Sequence, residues 1–178
     1  MMRGTVAIGV LCAIFISANG HAEMIVQACF SPWGKCSVHI LREIEQAKKE
    51  LLVAVYAFTH DELAHALVRA KKRGVTVRVV IDREFDADSN RSKGKFFEAQ
   101  KIPLRRLSGL PSPTQDTKIG LMHQKFAVID RRIVFSGSYN WTHAADSSND
   151  ENLLLFRDAG PLAEEYRKTF FQLWQRKF

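Results

Sequence analysis

Cysteine is scarce: three in 178 residues, and one of them, Cys12, falls in an apolar run near the N-terminus. The other two, Cys29 and Cys36, have no further pair of ligands at workable spacing, which argues against a zinc site. Long apolar stretches are missing as well. The run Thr5–Ile16 (TVAIGVLCAIFI) falls short of the roughly 20 residues that a membrane-spanning helix needs. No internal repeat is visible, and no linker divides the chain. Asp86-Ala87-Asp88-Ser89-Asn90 opens like a calcium loop, but Arg91 stands where that loop needs glycine and Phe97 where it needs glutamate. Acidic residues are outnumbered, 19 against 26 basic ones, for a net charge of +7. A basic surface attracts polyanions, either nucleic acid or acidic phospholipid, and net charge alone does not choose between them.

The N-terminus has the layout of an export signal. A basic start, Met1–Arg3, precedes the apolar run, and Ser17–Ala22 is small and polar, with a cleavage point after Ala22. The alternative is an uncleaved membrane anchor. With residues 1–22 removed, 23–178 makes one domain of a size that can bury a real core. An exported chain is periplasmic or secreted, and there Cys29 and Cys36 read as a disulfide closing a small loop. The alternative is a pair of buried thiols.

The rest of the chain alternates between two periods. Strands are expected at Glu23–Phe30, Leu51–Phe58 and Val75–Asp82, with helices at Ser37–Lys49 and Asp61–Arg73 between them. A short helix at 93–100 and a strand at 103–107 follow. Ser108–Thr117, with two prolines and a glycine, reads as a loop. Met122–Asp130 and Ile133–Ser138 form a hairpin, Asn152–Phe156 a further strand, and Pro161–Phe178 a terminal amphipathic helix. This rhythm predicts an α/β fold, an α-β-α sandwich around a mixed, largely parallel central sheet.

The chemistry concentrates in the hairpin. His123, Lys125 and Asp130 stand at H-x-K-x4-D spacing, and Gly137-Ser138-Tyr139-Asn140 follows as G-S-x-N. If Arg131-Arg132 form a two-residue turn, His123 lies opposite Asn140 and Lys125 opposite Ser138, all on one face. A neutral imidazole attacks phosphorus, and an imidazolium donates a proton near neutral pH. Lysine offers compact positive charge, and serine and asparagine add orienting hydrogen bonds. Glu151, just before the next strand, can orient a histidine by accepting from its second ring nitrogen. Trp141, beside Asn140, is the tryptophan placed to stack on a base. Trp33 and Trp174 read as core residues.

His123, Lys125 and Asp130 resemble the HKD motif of the phospholipase D superfamily, and Gly137, Ser138 and Asn140 match the G-S-x-N that follows it there. Many members carry two such motifs; this chain carries one. It most resembles the small exported bacterial endonuclease branch, whose acidic segment before the next strand is similar to Asn149-Asp150-Glu151-Asn152. The resemblance implies a metal-independent phosphodiesterase that needs no cofactor and cuts DNA or RNA. It implies a homodimer, in which His123 of one subunit forms a phosphohistidine and His123 of the other acts as acid and base. Lys125, Asn140 and Ser138 would bind phosphate oxygens, Glu151 would bond a catalytic histidine, and Asp130 would be structural. No stable membrane insertion is implied once the signal is cleaved. Two alternatives stand beside this one: a phospholipase acting on a lipid such as cardiolipin, and an inactive nucleic-acid-binding module.

Overall fold

The computed structural model describes residues 13–14, 23–114 and 119–177. Apart from Ala13–Ile14, the segment expected to be an export signal lies outside the described residues. Among those described, no helix is long and apolar enough to cross a membrane.

The strands are β1 (Ala13–Ile14), β2 (Ile25–Ser31), β3 (Glu50–Val55), β4 (Thr76–Asp82), β5 (Leu104–Pro111), β6 (Ile119–Leu121), β7 (Lys125–Ile129), β8 (Ile133–Gly137) and β9 (Glu151–Arg157). They form one sheet in the order β1-β2-β9-β8-β7-β3-β4-β5-β6. The helices are α1 (Cys36–Gln46), α2 (Asp61–Lys72), α3 (Arg83–Asp88), α4 (Gly94–Ala99), α5 (His143–Ser147) and α6 (Gly160–Gln175).

The layers follow from side-chain alternation along buried strands. Leu51, Val53 and Val55 of β3 point to a core shared with Ile40 and Ile44 of α1, Leu63 and Leu67 of α2, and Phe97 of α4. Leu52 and Ala54 point the other way, onto Ala163 and Phe170 of α6. Helix α2 starts with Asp61 and Glu62 and ends with Arg69, Lys71 and Lys72, as the helix dipole favours. Gly74, at φ 92°, turns the chain out of it into β4.

The α/β sandwich is present, but the sheet is not largely parallel. Among the described strands only the β3–β4 and β4–β5 pairs are parallel; the others are antiparallel. A strand buried on both faces reads as the same apolar run whichever way its neighbour points. The β-α-β rhythm also hides that β9, β8 and β7 lie between β2 and β3. The expected loop after residue 107 is also different in its first part. Strand β5 continues through Pro111 and pairs with β6 in a bulged ribbon, Ser108 opposite Leu121 and Pro111 opposite Ile119. Residues 115–118 lie outside the described part. Helices α3 and α5, each one to two turns long, have no periodic signature to betray them.

The hairpin register also departs from expectation by one residue. Phe126 pairs with Ser136 and Ile129 with Ile133, so three residues, Asp130, Arg131 and Arg132, make the turn. Asp130 and Arg131 both take left-handed backbone, at φ 51° and 57°. Two arginines do not form a favoured two-residue turn. The aspartate instead tolerates the left-handed region and grips the chain elsewhere.

Candidate active site

Five strand ends meet at one edge of the sheet: the carboxyl ends of β3, β4 and β8 and the amino ends of β7 and β9. The crevice beyond the carboxyl ends of parallel strands is where open α/β sheets commonly bind ligands.

With the observed register, His123 and Asn140 lie outside the β7–β8 ladder, so strand alternation does not place them. Backbone contacts do. Lys125 Nζ donates to the His123 carbonyl at 2.9 Å. The His123 ring lies 4.8 Å from the Tyr56 ring, and the Lys125 ammonium lies 5.1 Å from the same ring. Tyr56 thus forms a wall touched by both. His123 is exposed, and its ring has no hydrogen-bond partner among the described residues. Burial and the Lys125 charge hold its pKa below the ordinary histidine value, against a smaller opposing pull from Asp82. Burial likewise lowers the Lys125 ammonium, with Glu151 and Asp82 opposing.

Gly137 makes the turn that brings the G-S-x-N segment in. It sits at φ 144°, and a Cβ there would lie 2.3 Å from the Asn152 carbonyl oxygen. That carbonyl accepts from the Ser138 and Tyr139 amides at 3.1 and 3.3 Å. In return the Ser138 hydroxyl accepts from the Asn152 amide at 3.0 Å and from its Nδ2 at 3.3 Å. Asn140 Oδ1 accepts from the Ala57 amide at 3.2 Å, next to Tyr56. That bond sets the amide so that its Nδ2 donors are left for another partner.

Glu151 opens β9, opposite Ser31 of β2. Its carboxylate accepts from Asn149 Nδ2 at 3.3 Å and acts electrostatically on Lys125. It does not bond His123 of its own chain. Asp130 is at the other end of the hairpin, where it accepts from the amides of Lys48, Lys49 and Glu50 at 2.8, 2.7 and 2.9 Å. It ties the α1–β3 turn to the hairpin, at the end opposite His123. Cys29 and Cys36 are joined by a disulfide. It closes the turn after β2, beside the start of β9.

Three groups around this edge carry no motif. Tyr56 is hidden at the end of an apolar run. Asp82 is a fully buried carboxylate at the end of β4, accepting from the Phe85 and Met122 amides, each at 2.9 Å. An acid closing the apolar strand VTVRVVID was the signal for it. Asp146 accepts from the Tyr139 hydroxyl at 2.7 Å and from the Ser37 amide and hydroxyl at 3.0 and 2.8 Å. It thereby fastens the segment after Gly137 to the start of α1. Trp174 packs on Phe170 as expected, but the other two tryptophans are reversed. Trp141 is 1% exposed, packed edge-on against Phe58, so it cannot stack on a base, whereas Trp33 is 73% exposed. The bridge between Phe58 and Trp141 turns that indole inward.

With this geometry in place, comparison with known proteins is direct. The family model described as "Cardiolipin synthase, PLD-like domain" matches residues 40–174. A phospholipase D from Rickettsia prowazekii (strain Madrid E) is 33% identical over 146 residues, covering 82% of this chain and 66% of that protein. The mitochondrial cardiolipin hydrolase of Canis lupus familiaris is 32% identical over 149 residues, covering 83% of this chain and 53% of that protein. The chain thus spans just under two thirds of the rickettsial relative and about half of the canine one. Among solved structures, Nuc from Salmonella typhimurium, a phospholipase D family member, superposes with a TM-score of 0.75 at 33% identity, covering 85% of this chain and 95% of that one. The class is that of the PLD-like domains. This chain belongs to the phospholipase D superfamily, through its PLD-like domain.

Proposed function

We propose that this chain is an endonuclease, a metal-independent phosphodiesterase that hydrolyses DNA or RNA through a phosphohistidine at His123, in a site completed by a second copy. The observation that carries the proposal is the state of the histidines. His39 contacts Gln27, His60 caps α2, His65 packs on Phe96 and His143 pairs with Asp61. Among the described residues, only the His123 ring, packed on Tyr56, stands exposed and without a hydrogen-bond partner beside a lysine at the sheet edge. Its lowered pKa keeps it neutral, as a nucleophile must be.

One ring cannot both attack phosphorus and protonate the leaving oxygen in the same step. A dyad that brings two His123 rings to one phosphate supplies both. The first ring forms a P–N bond as the P–O bond breaks, and the second, as imidazolium, gives its proton to the departing oxygen. The second ring, now neutral, takes a proton from water, and the resulting hydroxide displaces the first ring. Lys125 and the Asn140 Nδ2 group, with Ser138 holding the loop, neutralise and orient the phosphoryl oxygens as charge moves onto them. Glu151 accepts from a ring nitrogen across the dyad. Residues 1–22 serve as the export signal and 23–178 as the nuclease domain, which acts in the periplasm or outside the cell.

A second reading, a phospholipase acting on cardiolipin, is favoured by one observation. Phe30 and Trp33 beside β9, and Leu110, Ile119 and Leu121 on the β5–β6 ribbon, are exposed near the same sheet edge, at 45–73%. One experiment separates the readings. Purified protein and its His123→Ala variant are assayed, both with EDTA, on supercoiled plasmid and on cardiolipin vesicles. The nuclease reading expects nicking in chelator that vanishes in the variant. Lipid cleavage without nicking transfers the site to the second reading. Binding of DNA with neither activity would leave an inactive module.

A further inference from the structure

Asp82 is the buried charge for which the scheme above has no use. Its carboxylate has no exposed surface, and no ion pair reaches it among the described residues. One oxygen caps α3 through the Phe85 amide, and the other accepts from the Met122 amide, 40 residues further along. Capping alone would not call for a charge, since serine, threonine or asparagine caps as well. Removing a carboxylate from water costs several kcal/mol unless donors and opposite charge offset it. The donors are two amides. The opposite charge lies in the site: the Met122 amide that Asp82 holds is one residue from His123 and three from Lys125, and the Asp82 charge opposes the lowering of both pKa values.

We infer that Asp82 is a positioning residue of this centre: it fixes the backbone on which His123 stands and supplies the negative charge that favours the protonated ring. The inference rests on the reading of His123 as the reacting imidazole. Around the ring, Lys125 on β7 opposes protonation, Tyr56 at the end of β3 packs against it, and Asp82 on β4 favours protonation. Glu151 on β9 acts on Lys125 instead. The site needs one neutral ring and one charged ring on the same phosphate, and two lysines nearby disfavour the charged one. A carboxylate bonded to the ring nitrogen that faces the phosphate would compete with phosphate for its proton. One held behind Met122 acts through space and leaves the ring free.

The test is Asp82→Asn, which keeps the shape and an acceptor and removes the charge. NMR titration of the His123 ring in the resting protein should move its midpoint to lower pH. The alkaline limb of kcat should move the same way, and kcat at neutral pH should fall about tenfold with KM unchanged. A folded variant with an unmoved His123 midpoint overturns the inference. If Asp82→Asn does not fold, the wild-type protein still decides. The Asp82 carboxyl carbon resonance should show an inflection at the His123 midpoint, absent in His123→Ala; a flat trace overturns the inference. These titrations need no substrate, so loss of the nuclease reading, seen as full nicking by His123→Ala, is a separate result.

Discussion

At His123 the neighbours decide which protonation state is cheap. Burial and the Lys125 ammonium depress its pKa, so the neutral ring persists to lower pH than in a free imidazole. Single-turnover cleavage should therefore rise with pH along an acid limb centred below the ordinary value of 6.5, and fall again on the alkaline side as the second ring loses the proton it must donate. An acid limb at or above that value would contradict the arrangement. Replacing Lys125 by methionine removes both the proposed phosphate contact and the charge that depresses the ring. Turnover should fall on the order of a hundredfold or more, while the His123 midpoint moves up. The two effects are measured independently, by kinetics and by NMR.

Elements carry the site only because particular backbone positions let them. Gly137 is one: alanine there meets a carbonyl oxygen at 2.3 Å and a left-handed φ of 144°. Gly137→Ala should cost about 2 kcal/mol or more, a fall in melting temperature of roughly 4–8 °C for a chain of this size. It should also displace the turn that delivers Ser138 and Asn140. The disulfide supports the same segment from the other side, since Cys36 begins α1 and Ser37 bonds Asp146. A mild reductant, or Cys36→Ser, should lower stability by about 2 kcal/mol through loop entropy, read by denaturant unfolding. Strand existence was legible from apolar runs such as LLVAVYAF, and helix α2 from its charge asymmetry. The hairpin register was not. Three turn residues instead of two follow from Asp130 reaching amides 80–82 positions away, a contact no local pattern encodes.

At the scale of the whole molecule, the proposed mechanism needs a second copy of the chain. If both His123 rings are required, mixing wild type with an equal amount of His123→Ala, after dissociation and reassembly, should leave about a quarter of the wild-type rate per total chain. Sites confined to one chain would leave about half. The fold is also expected to weaken in acid. His60 is held neutral by burial and by His143, so its folded pKa lies below that of the unfolded chain. Its contribution is complete above 6.5, the unfolded value, and is lost as pH falls through the folded value. Denaturant midpoints should therefore drop over that interval, and less in His60→Asn, which retains a helix cap.

What the sequence alone determined is family and fold class, from residue types at H-x-K-x4-D and G-S-x-N spacing and an α/β rhythm in a basic chain. These are local properties, read along the chain. The tertiary structure decided which strands pair, how the turn is built, and that Tyr56, Asp82 and Asp146 stand around the site. Those depend on which distant segments share the sheet edge. Strand direction and register are set by contacts between segments, and an apolar run is the same string whichever neighbour it meets.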